Sequence, residues 1–147
     1  MKKNLVTTLF FLMIITSYGF NLGIAPTTFN LDLNRSQTRE VTILNNTDSV
    51  MRVEVFAERP EDTKEASYLG EYIRVYPKIV NIRPFGKQVV KFAVRVPKEL
   101  EAGDYKSYLV FKELPGKPSE TDVNKKETKL NITMLTEIAI TIYGTKK

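Results

Sequence analysis

Acidic side chains are the densest group in this sequence that could do chemistry. Glu58, Glu61, Asp62 and Glu65 lie within one short segment, and paired carboxyl groups can hydrolyse a glycosidic bond. Basic residues alternate with them, and no apolar stretch surrounds them, so nothing raises the pKa of one carboxyl group as acid catalysis requires. The spacing also lacks the pattern of an EF-hand calcium loop. The segment is predicted to be a solvated loop.

Other residue types that carry catalysis are missing. The chain has no histidine and no cysteine, which excludes imidazole bases, thiol nucleophiles and zinc sites built from either residue. Its seven glycines are scattered and form no phosphate-binding loop. We therefore expect a protein that is not an enzyme, with no cofactor, no metal ion and no small-molecule substrate.

The first 19 residues are typical of a secretory signal peptide. Two lysines precede a mostly apolar run of 11 residues, Leu5 to Ile15. Ser17-Tyr18-Gly19 then places small residues at the −3 and −1 positions of a cut before Phe20. The run is shorter than the roughly 20 residues that a membrane-spanning helix needs. We expect export to the periplasm or another extracytoplasmic place, with the membrane only as the export route.

The remaining residues, 20–147, have the length of one ordinary domain that needs no disulfide bonds. Without the two signal lysines the net charge falls from +5 to +3, with 20 basic and 17 acidic residues interspersed. A nucleic-acid-binding protein would normally cluster its basic residues on one face. We expect no nucleic-acid partner.

Alternating apolar and polar residues predict β-strands through most of this domain. Residues 59–70 and 114–129 lack the alternation and are predicted to be exposed loops, and Pro77 predicts a sheet edge or a bend. The predicted strands are 24–33, 39–44, 50–58, 72–76, 78–82, 88–96, 104–113 and 130–143. Seven or eight short strands in one domain predict an all-β fold, an antiparallel immunoglobulin-like sandwich with Greek-key connections.

Shared parity on separate strands predicts which side chains fill the core. The expected core residues are Val41, Ile43, Val53, Val55, Val90, Phe92, Val94, Leu109 and Phe111. Tyr105 lies two residues after Gly103, near the start of the predicted strand 104–113. That placement is typical of a tyrosine corner, in which the hydroxyl binds backbone a few residues upstream.

Four stretches occur in an order that resembles the N-terminal domain of periplasmic PapD-like pilus chaperones. They are Ile24-Ala25-Pro26-Thr27, Val41-Thr42-Ile43-Leu44-Asn45-Asn46, the run from Tyr76 to Lys87, and the run from Tyr108 to Pro115. The resemblance covers residues 23–143. It implies a chaperone or accessory factor for pilus or fimbrial surface proteins, whose partner is another exported protein.

In that family the last strand of the first domain is lent to an unfinished pilin, an example of strand addition. The resemblance places this strand at 130–143 and assigns partner binding to Leu130, Ile132 and Met134. Ordinary core side chains would show the same alternation, so both roles remain open for these three residues.

Two departures from the family leave a second function open. The family holds the pilin carboxylate with an Arg on the first strand and a Lys on the last, whereas Thr28 and Ala139 stand at the matching places. The chain also ends at Lys147, without the length of a second domain. The alternative is a structural or adhesive immunoglobulin-like envelope module that shares only the scaffold.

Overall fold

The computed structural model describes residues 20–116 and 134–147, which form two β-sheets around one core. The strands are β1 (Leu22–Ala25), β2 (Thr28–Asp32), β3 (Gln37–Asn45), β4 (Met51–Glu58), β5 (Ile73–Tyr76), β6 (Ile79–Ile82), β7 (Lys87–Val94), β8 (Gly103–Leu114) and β9 (Glu137–Lys146). One sheet has the order β1-β3-β7-β5 and the other β2-β9-β8-β4-β6. The described part contains no helix that is long and apolar enough to span a membrane.

The predicted all-β sandwich is confirmed, and so is its core. All nine predicted core residues are buried with at most 1% of their surface exposed. Phe29 and Phe92 meet edge to face across the core, with ring centroids 5.0 Å apart. Alternation located the inward faces because side chains on a strand point to opposite faces in turn. The described strands pair antiparallel except for β2 and β9, which run parallel.

The first predicted strand, 24–33, is wrong as one element. It is two strands in different sheets: β1 pairs with β3, and β2 pairs with β9. The break falls at Pro26 and Thr27, where proline has no N–H to continue a ladder. This change of sheet explains why nine strands appear where eight segments were predicted.

The segment before β5 is not the wholly exposed loop that was predicted. Leu69 and Gly70 are buried; a short 3₁₀ turn, Glu65–Ser67, precedes them, and a second, Gly70–Tyr72, begins at Gly70. The apolar Leu69 is inserted into the core, a contribution that a segment without alternation does not reveal. The prediction for Pro77 is confirmed, because β5 and β6 are the outermost strands of their two sheets.

The side chain of Asn45 connects the end of β3, the turn that follows it and the end of β6. Its side chain is buried, and its amide nitrogen donates to the carbonyl oxygens of Ser49, Ile82 and Arg83 at 2.7, 3.2 and 3.0 Å. The amide oxygen accepts from the backbone N–H and the hydroxyl of Thr47. The turn after β3 is thereby fixed to the turn after β6, with every polar atom of the buried amide bonded.

Candidate partner-binding edge

The first half of β9 has neighbours on one side only among the described strands. From Thr141 to Thr145, β9 pairs with β8 on one side and β2 on the other; from Glu137 to Ile140, it pairs with β8 alone. We call these stretches the covered half and the open half of β9. An unpaired row of N–H and C=O groups is a template for another strand.

Two hydrogen bonds show which backbone groups of the open half lack a strand partner. The carbonyl oxygen of Thr136 accepts from Glu113 of β8, whereas the N–H of Thr141 donates to Thr27, on the β2 side. Backbone groups alternate direction along a strand, so the N–H and C=O of Glu137 and Ala139 point away from β8. Within residues 20–116 and 134–147 no strand pairs with them.

An apolar groove adjoins this open edge, between β1 of one sheet and β9 of the other. It has a volume of 510 Å³, and Leu22, Ile24 and Ile138 supply its apolar walls. Phe20 stands at the groove with 82% of its surface exposed. Leu22 is buried, but Ile24 and Ile138 are only half-buried and pack against the core from its margin. The groove thus exposes the margin of the core beside backbone groups that no described strand pairs with.

The structure changes the predicted extent of the last strand. β9 starts at Glu137 and continues to Lys146, and residues 134–136 are not in a strand. Here the side-chain carboxylate of Glu113 accepts from the N–H of Thr136 at 3.0 Å, in place of a ladder bond. The prediction of one strand through 130–143 is therefore wrong at residues 134–136.

Of the three predicted strand-donor residues, the structure describes Met134 alone. Leu130 and Ile132 lie outside the described residues. Met134 stands just before β9 with 88% of its surface exposed. A partner-binding role for the three remains a prediction.

Thr28 and Ala139 lie where the open half meets the covered half. Thr28 begins β2 and pairs with Thr141, two residues beyond Ala139 on the neighbouring strand. Both side chains are exposed. The two positions that the resemblance matched to the family's clamp thus lie near each other on neighbouring strands, and they carry a hydroxyl and a methyl group.

Tyr105 is held at the other end of β8. Its ring is buried, and its hydroxyl donates to the carbonyl oxygen of Glu101, four residues upstream, at 2.9 Å. Burial raises the pKa of the Tyr105 phenol, with a smaller contribution from the Glu101 charge. The contact has the geometry that a tyrosine corner requires.

In the acidic segment the surroundings lower a carboxyl pKa, whereas a carboxyl group that acts as a general acid needs a raised pKa. The Lys106 ammonium contacts both carboxylate oxygens of Asp62 at 2.9 and 3.0 Å and lowers the pKa of that group. Arg59 approaches Glu65 at 3.9 Å, and both side chains are largely exposed. In the described ranges no three acidic side chains are placed to hold a metal ion. The Asp62–Lys106 pair attaches the loop to the outer face of β8.

The sequence did not predict the open edge at Glu137 and Ala139 or the groove beside Ile24, although Ala139 was singled out as a clamp position and Ile24 lies in one of the stretches that carry the resemblance. Pro26 was the available signal, because a proline inside an alternating run indicates that the ladder ends there. The sequence did not say which strand would stand on either side of the break.

Comparisons with known proteins place this fold among immunoglobulin-like domains of the PapD type. No protein-family model matches the sequence, and no curated protein matches it. The E. coli chaperone DraB is similar in structure, with a TM-score of 0.63 and 14% identity, over 85% of this chain and 54% of DraB. The Salmonella enterica SafB chaperone, solved with the SafA pilin, gives a TM-score of 0.61 at 9% identity, over 87% and 55% of the two chains.

The chain spans about half the length of these chaperones. A PapD-like domain of human CEP192 is also similar, with a TM-score of 0.56, 12% identity, and coverage of 86% of this chain and 85% of that domain. The chain therefore has the PapD-like fold, and this fold occurs both in pilus chaperones and in other proteins.

Proposed function

We propose that this protein is an exported, PapD-like chaperone or accessory factor that binds pilus-type or other surface subunits by β-strand addition. The observation that carries the proposal is the open half of β9, where the backbone groups of Glu137 and Ala139 face away from β8 beside an apolar groove. Strand addition needs unpaired main-chain groups for affinity and adjoining pockets for specificity. Both requirements meet at this edge.

The solved neighbours support the class of partner. DraB and SafB are described as chaperones, and SafB was solved in complex with a pilin. We extend that kind of partner, an exported protein subunit, to this chain. The proposed place is outside the cytoplasm, after cleavage of residues 1–19 as a signal peptide.

The uncharged residues at the clamp positions shape the proposal. Thr28 and Ala139 cannot make the charge-assisted hydrogen bonds to a carboxylate that Arg and Lys make, each worth about 1.5–3 kcal/mol. Recognition of a free chain terminus is therefore not part of the proposed mechanism. Binding would instead depend on backbone pairing and on apolar contacts.

A matched pair of variants at one position tests the proposal. Glu137→Pro removes the outward N–H at the first residue of β9, a place where a strand accepts proline. Glu137→Ala removes the same side chain and its contact with Lys112 but keeps the N–H. Tagged wild-type protein and both variants are used to capture partners from an envelope extract.

We expect the wild type and Glu137→Ala to retain the same surface subunit and Glu137→Pro to lose it, with all three proteins equally folded by circular dichroism. Equal capture by Glu137→Pro would contradict strand addition at this edge. Capture of no surface subunit by the wild type would contradict the proposed function itself.

A further inference from the structure

The covered half of β9 shows which side chains a strand contributes when it pairs beside β9. There, β2 lies beside β9 with Phe29 opposite Ile142 and Leu31 opposite Gly144. Phe29 and Leu31 both point inward and are buried in the core. The edge of the sandwich is closed in this half because the flanking strand supplies apolar side chains to the space between the sheets.

The open half lacks such a contribution among the described residues. Of its two inward residues, Ile140 is buried in the core, whereas Ile138 is half-buried and faces the groove instead of a neighbouring strand's side chain. On the opposite sheet, the inward residues of β1, Leu22 and Ile24, form the other wall. The groove is continuous with the β2–β9 ladder and begins where β2 leaves β9, at Thr27.

Sheet geometry fixes where the side chains of an added strand would point. Residues opposite each other on paired strands project to the same face, in parallel and antiparallel pairs alike. A residue paired opposite Ile138 therefore projects inward, into the groove between Ile138 and Ile24. Its two neighbours project outward, beside Glu137 and Ala139 on the solvent face.

We propose that the groove is a specificity pocket, and that the partner of this protein inserts one apolar side chain into it from the strand added to β9. This inference rests on the proposed function and deepens it by naming the partner's chemistry. The fitting segment is short and extended, with an apolar residue flanked by polar ones. Its length is limited at one end because β2 occupies the edge from Thr141 onward, and among the described residues of β9 Glu137 and Ala139 offer outward backbone groups before that point.

Insertion into the groove has the opposite direction to strand donation. Donation of residues 130–134 would place this protein's side chains in a partner. The groove would receive the partner's side chain between the two sheets of this protein. The Phe29 side chain in the covered half is the internal precedent, since a flanking strand inserts it into the same inter-sheet space.

Two synthetic peptides test the pocket by nuclear magnetic resonance on the full mature chain. One acetylated peptide alternates threonine with valine, and the other has serine in place of each valine. We expect the valine peptide to shift both the amides of Glu137 and Ala139 and the methyl groups of Ile24 and Ile138. The serine peptide should bind at least about tenfold more weakly, because it buries no apolar side chain.

A change of groove size sharpens the test. Ile24→Ala enlarges the pocket at its half-buried wall, and it should shift the preference from the valine peptide toward one that carries phenylalanine. Val89→Ala is the matched control, because Val89 is 42% exposed on β7 and does not line the groove. The control should keep the wild-type preference.

The outcomes separate this inference from the proposed function. Amide shifts at Glu137 and Ala139 with equal affinity for both peptides would overturn the pocket and leave strand addition standing. If no peptide at about 5 mM shifts any resonance, the peptides bind more weakly than a millimolar dissociation constant. That result would also overturn the pocket. In that case the capture experiment with Glu137→Pro decides the proposed function independently.

Discussion

The two halves of β9 share one strand and one pairing partner, yet their environments differ. In the covered half, Ile142 is fully buried and β2 pairs with every residue from Thr141 to Thr145. In the open half, Ile138 is half-buried and the outward backbone of Glu137 and Ala139 has no strand beside it in the described part. The difference arises from where the chain passes from β1 of one sheet to β2 of the other, at Pro26 and Thr27.

This comparison separates what stabilises the fold from what is available for binding. A strand paired on both sides buries its side chains and satisfies its backbone, and so contributes to stability. A strand with one unpaired side retains backbone groups and apolar surface that a partner can use.

Truncating Ile142 in the covered half should cost far more than truncating the half-buried Ile138 at the groove. Ile142→Ala leaves a cavity in a fully buried site, and we expect it to lower the free energy of unfolding by about 2–5 kcal/mol. Ile138→Ala removes a half-buried side chain and should cost about 1–2 kcal/mol. Urea denaturation measures both, and equal losses would contradict the comparison.

Proline should distinguish the two halves through the backbone alone. Thr141→Pro removes the N–H that donates to Thr27 at 3.2 Å and leaves that carbonyl without its partner. We expect a loss of about 1–3 kcal/mol in unfolding free energy. Glu137→Pro removes an outward N–H at the start of the strand and should cost less than about 1 kcal/mol. Comparable losses would mean that the open half is paired in solution.

Tyr105 secures the end of β8 that pairs with the covered half. Tyr105→Phe removes the hydroxyl that donates to Glu101, and we expect a loss of about 0.5–1.5 kcal/mol at neutral pH. Because burial raises the pKa of Tyr105 above its usual 10.0, the wild type should lose stability as pH rises past about 10. Chemical denaturation at pH values between about 7 and 11, which span the ionisation of tyrosine, measures this effect. The variant should lose less unfolding free energy at alkaline pH than the wild type. Parallel curves for the two proteins would remove Tyr105 as the cause.

The ion pair on the outer face should have the smallest effect. Lys106 lies opposite Tyr143 of the covered half and holds Asp62, whose pKa is lowered. A lowered carboxyl pKa stabilises the fold above the usual value of 3.8, and this stabilisation is lost as pH falls below it. Asp62→Asn should lower the melting temperature slightly at neutral pH. The difference from the wild type should vanish in acid, and a difference that persists there would point to a role of the side chain other than charge.

Alternation was sufficient to predict the all-β fold and its central residues. Val53, Phe92 and Phe111 are buried. On a strand with one face against the core, every second side chain points inward, and the alternation places these three on that inward face. Sheet membership was not predictable in the same way. Ile24 and Phe29 share no sheet although they lie five residues apart, since the break at Pro26 sends the chain to the other side of the core.

The candidate site was predictable in location but not in detail. The resemblance indicated the last strand, and the open edge lies on that strand, at Glu137 and Ala139. Neither residue is notable by type, because the feature that matters is the direction of the backbone groups and the missing neighbour. Such a feature depends on how β2 pairs with β9, a contact between residues more than a hundred positions apart. Local patterns carry little information about pairing at that distance.

Hydrogen exchange of the β9 amides distinguishes the side of the strand that pairs with β8 from the side that is open to a partner. The N–H groups of Ile138 and Ile140 point toward β8, whereas those of Glu137 and Ala139 point to the open side. We expect Glu137 and Ala139 to exchange much faster than Ile138 and Ile140 in the isolated protein, and to become protected when a captured surface subunit is bound. Equal protection of all four amides in the isolated protein would show that the edge is already covered and would contradict strand addition at β9.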